Sequence, residues 1–337
     1  MRIAEVASVA TPVRSEGSGS IEQVVWSLAS GLVRLGHQVT VFGAAGSESP
    51  GALVETLPGP YGAPGVPEDW RVAEWVNVAR AVERSGEFDL IHAHGYLYGL
   101  PLAGLSRSAM VHTLHVMPPP EAVTLARLYP EQPVTALSDY QWAAFPDVHP
   151  VAVIPNGITP EAFTFNDRPA DYVAYLGRFA DGKGTEIAIR TARAMGLELR
   201  LAGWENDYFA QEIAPLVDDD QIRYVGPLTG ADRDAFLGGA RALLYPVTSH
   251  EPFGMVMPEA MLCGTPVAAF RVGAVTEVVD EGVTGCTVEV DGDFGGAVRK
   301  SLDLDRRVVR DVALASFGSE AMTGRYEALF ASIVHRV

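Results

Sequence analysis

The chain is poor in cysteine, in lysine and in positive charge. Two cysteines, Cys263 and Cys286, occur in 337 residues, and they stand in no metal-ligand spacing. So isolated a pair argues against a disulfide framework and suits a reducing compartment. The lysines are Lys183 and Lys300 alone, and 25 Lys+Arg face 42 Asp+Glu, a formal net charge of −17. An acidic surface of this kind repels nucleic-acid phosphates and anionic lipid headgroups, so no nucleic-acid partner is expected. No uncharged run approaches the roughly 20 residues of a bilayer span, so no stable membrane insertion is expected. Residues 1–9 are apolar but carry Glu5, which reads as a first strand and not as a secretion signal. The expected location is the cytoplasm.

What is present is a rhythm. Hydrophobic residues make up 48% of the chain, enough for sizeable cores, and the length suits two domains of about 150 residues each. Short β-rich runs alternate with amphipathic helices, which implies parallel sheets covered by helices on both faces. A strand over 2–9 leads through the loop Glu16-Gly17-Ser18-Gly19-Ser20 to a helix over 21–35. Ser20 and Gln23 make a capping-box pattern. Ile21, Val24, Val25, Leu28, Leu32 and Leu35 form one apolar stripe, and Gly36 stops it. Further strands are expected at 38–42, 88–92, 110–114, 134–137 and 151–154. A Gly/Pro-rich loop covers 58–67, and 155–157 end the series. After a weakly periodic linker to about residue 170, a second series follows at 172–176, 197–201, 222–225, 242–245, 267–270 and near Val288. The last helix, over 319–334, has no strand after it. In such folds ligands gather at the C-terminal ends of strands.

Two segments carry chemistry. The strand at 172–176 runs into Gly177-Arg178-Phe179-Ala180-Asp181-Gly182-Lys183-Gly184, with a helix starting near Thr185. Glycines let backbone approach an anion, a helix start favours negative charge, and Arg178 and Lys183 add two cations. A plain turn with solvated cations is the bland alternative. The segment also nearly fits the P-loop pattern of phosphotransferases, but Gly184 leaves no hydroxyl for Mg²⁺ where the pattern needs one. The first strand lacks G-x-G-x-x-G, which disfavours a nicotinamide dehydrogenase.

In the second segment, Glu251 lies in a loop after the strand at 242–245 and Glu259 eight positions later, in the first turn of a helix expected to begin at Pro258 and stop at Gly264. Main-chain N–H groups of Phe253, Gly254, Met255 and Val256 lie between them. Carboxylates accept bidentate hydrogen bonds from vicinal diols, so two of them around an anion loop suit a nucleotide sugar. Either glutamate alone reads as a surface charge or as a partner of the helix dipole.

The string from Glu251 to Glu259, with Glu251-Pro252-Phe253-Gly254 at its head, resembles the E-x7-E signature of the GT-B-fold retaining glycosyltransferases of family GT4. The loop Gly177-Arg178 to Lys183-Gly184 resembles that family's diphosphate clamp. The likeness implies an α/β fold of two Rossmann-like, doubly wound parallel-sheet domains facing a cleft. An acceptor-binding domain would cover 1–158, a donor-binding domain 159–318, and a helix over 319–337 would return to the first.

The resemblance also implies roles. Glu251 contacts the donor sugar and Glu259 the ribose. Arg178 and Lys183 hold the diphosphate, with Gly177 at the head of their loop and the backbone of Phe253 to Val256 on sugar and phosphate. Val225, Gly226, Pro227 and Leu228 cradle the base. Gly19 and Ser20 fall at the glycine-rich loop, with Ser20 in place of a second glycine. His115 resembles the histidine lining the sugar site and joins Arg178, Lys183 and Glu251 as a catalytic candidate. His92 and His94 are expected to point to opposite faces of their strand, at most one reaching a ligand. No clustered Asp/His set suggests a metal, and no cofactor is expected; the nucleotide-diphosphate sugar, with UDP the family's commonest nucleotide, is a substrate. The acceptor would be a small molecule, an oligosaccharide or a lipid-linked molecule, met by loops over 58–70 and 117–129. A catalytically silent nucleotide-sugar-binding module and, behind it, a P-loop-type phosphotransferase are the remaining alternatives.

Overall fold

Strand and helix alternate as the periodicity demands, and they sort into two separate parallel sheets. The computed structural model describes residues 1–15 and 20–335, so Gly19 lies outside the described residues. The first unit comprises Met1–Ile158 with the helix Ser319–Val334, and the second Thr159–Gly318.

The first sheet contains β1 (Arg2–Val6), β2 (Gln38–Ala44), β3 (Ala52–Leu57), β4 (Leu90–Ala93), β5 (Ala109–Thr113), β6 (Val134–Ala136) and β7 (Ala152–Val153), in the order β3-β2-β1-β4-β5-β6-β7. β3 is not among the expected strands. It is an edge strand with only Leu57 buried, and its residues include Glu55 and Thr56, so it lacks the continuous apolar run that marks the inner strands. Helix Ser20–Arg34 buries Val24, Val25, Leu28 and Leu32, whereas Leu35 falls past its end and is half exposed. Helix Ser319–Val334 packs on it so tightly that a Cβ on Gly31 would stand 2.2 Å from Thr323 Oγ1. Tyr326 and Phe330 of that helix are buried, and the Tyr326 hydroxyl lies 2.9 Å from Thr113 Oγ1.

The second sheet contains β8 (Val173–Leu176), β9 (Leu199–Ala202), β10 (Ile222–Tyr224), β11 (Leu243–Tyr245), β12 (Val267–Phe270) and β13 (Gly285–Val288), in the order β10-β9-β8-β11-β12-β13. Its core gathers Phe179, Ile189, Leu201, Phe209, Leu244 and Phe270. Cys263 and Cys286 are free and buried. No helix among the described residues is long and apolar enough to cross a membrane.

Both sheets reverse their winding once. The chain builds β1, β2 and β3 outward, then returns to lay β4 on the other side of β1. It repeats the manoeuvre with β8, β9 and β10 before β11 joins β8. Loops leaving two adjacent strands in opposite directions open a crevice at their C-terminal ends, where doubly wound sheets bind ligands.

Candidate active site

In the second unit the β8/β11 reversal brings the two chemically marked segments together. The loop after β8 and the loop after β11 are stitched at Gly182, whose carbonyl accepts hydrogen bonds from Thr248 N–H (2.8 Å) and Ser249 N–H (3.1 Å). Gly182 and Gly184 hold φ of 76° and 75°, the left-handed region that glycine adopts without steric cost. A Cβ on Gly184 would stand 1.9 Å from the Pro246 carbonyl oxygen, so only glycine lets the loops meet. Gly184 caps helix Thr185–Met195, whose first-turn N–H groups and dipole make its start an anion-favouring point.

Lys183 and Glu251 meet across this seam, the ammonium donating to Glu251 Oε1. The Tyr245 hydroxyl, at the end of β11, donates to Glu251 Oε2, so both carboxylate oxygens are held. Burial, reinforced by the nearby Arg178, brings the Lys183 ammonium down to about 8, while contact with Glu251 favours its proton. Arg178 is exposed on the same loop. The Tyr175 hydroxyl donates to the Arg178 carbonyl at 3.3 Å, tying the loop to its own strand. Gly177 heads the loop, its N–H bonded to the Ala202 carbonyl at 3.1 Å.

The helix expected to begin at Pro258 begins instead at Val256 and runs to Leu262. Proline fits there because the first-turn N–H groups of a helix have no intrahelical partner. Phe253 is buried, and Gly254 turns with φ 81°, leaving Met255 and Val256 at the helix start. Glu251 is fixed from behind, its carbonyl accepting from Ala274 N–H at 3.0 Å. Glu259 is buried and receives a hydrogen bond from Arg233 on helix Gly230–Gly239. Burial raises the Glu259 carboxyl pKa, and Arg233 opposes that rise. Val225 and Leu228 follow β10, two strands from β8 along the same sheet, Val225 exposed and Leu228 half-buried.

Three contributors were not expected from sequence: Tyr175, Tyr245 and Arg233. The tyrosines sit at the last or last-but-one position of the two central strands, a position that could have flagged them. Arg233 carries no local signal, because its partner comes from another helix.

His115 belongs to the first unit and meets a different group. Glu5 and His92 are register partners on β1 and β4. His94 extends the same ladder, its N–H bonded to the Val6 carbonyl at 3.0 Å. The two histidines do not face opposite ways: their rings lie 4.1 Å apart, because residues two apart on a strand share a face. Glu5 Oε2 is 3.0 Å from both His92 Nδ1 and His94 Nε2, and His94 Nδ1 is 2.8 Å from His115 Nε2. Ligand-type atoms of Glu5, His92 and His94 lie within 4.8 Å of one another and could hold a metal ion. The sequence-based expectation concerned a clustered Asp/His set; this Glu/His group does not show there because Glu5 is too far from the histidines in sequence. Burial pushes His92, His94 and His115 down to about 3, so all three are neutral.

Comparison with known proteins places this architecture. Residues 21–162 match the model of Glycosyltransferase Family 4, and residues 170–303 that of Glycosyl transferases group 1. The chain is a family 4 glycosyltransferase. This transferase is 29% identical over 368 residues to the D-inositol 3-phosphate glycosyltransferase of Kribbella flavida, covering 88% of this chain and 86% of that protein. It is 28% identical to the phosphatidyl-myo-inositol mannosyltransferase of Propionibacterium freudenreichii subsp. shermanii, covering 88% and 87%. Among solved structures, the avilamycin A biosynthesis glycosyltransferase AviGT4 superposes with a TM-score of 0.77 at 24% identity, over 100% of the transferase and 98% of AviGT4. Anabaena HepE in complex with UDP-glucose gives 0.73 at 21%, over 98% and 100%. The fold is thus of the GT-B kind, two parallel-sheet α/β domains, and the activity is glycosyl transfer.

Proposed function

We propose that this glycosyltransferase moves a sugar from a nucleoside-diphosphate donor to a hydroxyl acceptor, with retention at the anomeric carbon and with its own cations in place of a metal ion. The observation that carries the reading is the seam at β8 and β11, where Lys183, Glu251 and a helix start with no side-chain cap converge on one glycine loop. In this reading the diphosphate lies against the start of helix Thr185–Met195 and takes Lys183 away from Glu251, with Arg178 as the second cation. Freed from the lysine, Glu251 accepts from the sugar hydroxyls, oriented by Tyr245. Glu259, paired with Arg233, accepts from the ribose diol. The backbone after β10 at Val225 and Leu228 receives the base. Stabilising the charge that develops on the leaving diphosphate is the main catalytic contribution, and loss of one such donor typically costs about 10²–10³ in rate. The leaving phosphate assists deprotonation of an acceptor hydroxyl approaching from the same face.

UDP is the first nucleotide to test, since HepE was solved with UDP-glucose. The named acceptors of the relatives are inositol derivatives, so polyols head the acceptor screen, before oligosaccharide and lipid-linked alcohols. Calorimetric titration with UDP, GDP and ADP in EDTA tests the donor reading. Binding of one nucleotide in the micromolar range, lost in Lys183→Ala, supports it; binding that appears only on adding Mg²⁺ overturns the metal-free clamp. Proton NMR of the product decides stereochemistry, an inverted anomeric centre sinking retention.

A further inference from the structure

The loop that follows β9 is braced on both flanks yet carries a bare indole. Towards β8, Asn206 Nδ2 donates to the Phe179 carbonyl at 2.9 Å, and a Cβ on Gly203 would stand 2.2 Å from the Gly177 carbonyl oxygen. Towards β10, the Gly203 N–H donates to the Gly226 carbonyl at 3.2 Å, and the Tyr224 hydroxyl donates to the Gly203 carbonyl at 2.8 Å. Trp204, next in the chain, is nevertheless 64% exposed, more than any of the other four tryptophans. Tryptophan is highly buried on average, so an indole held in water by a fixed backbone leaves an apolar face open to a flat ligand.

The chain after β10 passes close to that indole. β10 is the edge strand, three places from β11 in the order β10-β9-β8-β11. The helix Gly230–Gly239 that follows β10 nevertheless reaches helix Val256–Leu262, which follows β11, through the hydrogen bond from Arg233 to Glu259. Residues 225–229 therefore cross the ends of β9 and β8, and Trp204 lies just past the end of β9. Val225, where the crossing starts, is a second exposed apolar side chain. Trp204 and Val225 each adjoin the Gly203–Gly226 hydrogen bond.

We propose that Trp204 is a nucleobase-stacking residue, its indole covering one face of the donor's base while the base edge meets the backbone at Val225 and Leu228. The proposal rests on the donor reading above and adds a residue to it. β9 lies between the diphosphate loop after β8 and the segment after β10, on the side of β8 away from β11 and Glu251. A side chain on its loop is thus placed for the nucleoside and not for the transferred sugar. Every base has a π face, so stacking adds affinity without choosing among bases.

Calorimetry on wild type, Trp204→Ala and Trp204→Phe tests the stacking, with inorganic pyrophosphate and whichever of UDP, GDP and ADP the wild type binds best. Trp204→Ala is expected to weaken the nucleotide about tenfold, with pyrophosphate unchanged and Trp204→Phe close to wild type. A fluorescence measurement needs no pyrophosphate: saturating nucleotide should shield part of the wild-type emission from acrylamide, and that shielded part should be missing in Trp204→Phe. Unchanged nucleotide affinity in Trp204→Ala overturns the proposal. So does an equal loss of nucleotide and pyrophosphate, which would mean that the substitution disturbs the diphosphate loop. A wild type that binds no nucleoside diphosphate removes the donor reading and the stacking together. A nucleotide held through Lys183 but indifferent to Trp204 removes the stacking alone.

Discussion

Gly184 and the Pro246 carbonyl face each other so closely that a single added Cβ would fall 1.9 Å from the oxygen. The contact joins the two loops on which the candidate donor site is built. Gly184→Ala therefore meets two penalties, a left-handed φ of 75° and a backbone clash. The expected loss is about 2 kcal/mol or more of stability, with nucleotide binding weakened beyond detection. Urea denaturation of the variant against wild type checks the first, and calorimetry the second. Unchanged unfolding would show that the two loops can separate freely.

Lys183 titrates where it can be observed. With its ammonium brought down to about 8 by burial and Arg178, the free protein is partly deprotonated in mildly alkaline solution. A bound diphosphate favours the charged form, so nucleotide binding near pH 8 should take up protons and weaken as pH rises. Titrations in buffers of different ionisation enthalpy read that uptake directly. The sign for stability is opposite: from about pH 8 up to the ordinary lysine pKa, the unfolded chain holds more protons than the native one. Unliganded stability should therefore rise across that interval at this residue.

Arg233 and Glu259 form a partly buried pair, with Glu259 the deeper member. Arg233→Ala leaves a carboxylate without its cation away from water, at an expected cost of about 3 kcal/mol. Adding Glu259→Gln to that variant should recover part of the loss, since the stranded charge is gone. A double-mutant cycle by thermal or chemical denaturation measures the coupling. Additive effects would mean that the two side chains do not depend on each other.

Glu251 separates binding from transfer. Glu251→Gln keeps the shape and removes the charge, so transfer should fall about 10²–10³-fold. Affinity for the bare nucleoside diphosphate should stay level or rise, because Lys183 loses its internal competitor. Initial rates and calorimetry on one preparation distinguish the two. A parallel fall in both would assign Glu251 to folding or to nucleotide binding.

Much of this protein is legible along the chain because the signals are local. The α/β alternation, the helix Ser20–Arg34, the strands on either side of the reversals and the cationic glycine loop all follow from periods of two and 3.6 and from the few residues that favour turns. Where the local signal fades, so does the reading: β3 carries Glu55 and Thr56 at an exposed edge, and the helix at Val256 starts before its proline.

The sequence by itself determined the fold class, the order of elements and the residue types that carry the chemistry. Tertiary structure alone decided which of them meet. Lys183 lies 68 positions from Glu251, Arg233 lies 26 from Glu259, and Glu5 lies 89 from His94. Those meetings depend on which strands become neighbours at the two reversals, and strand adjacency is set by the packing of whole sheets and helices. No pattern within a short window encodes it.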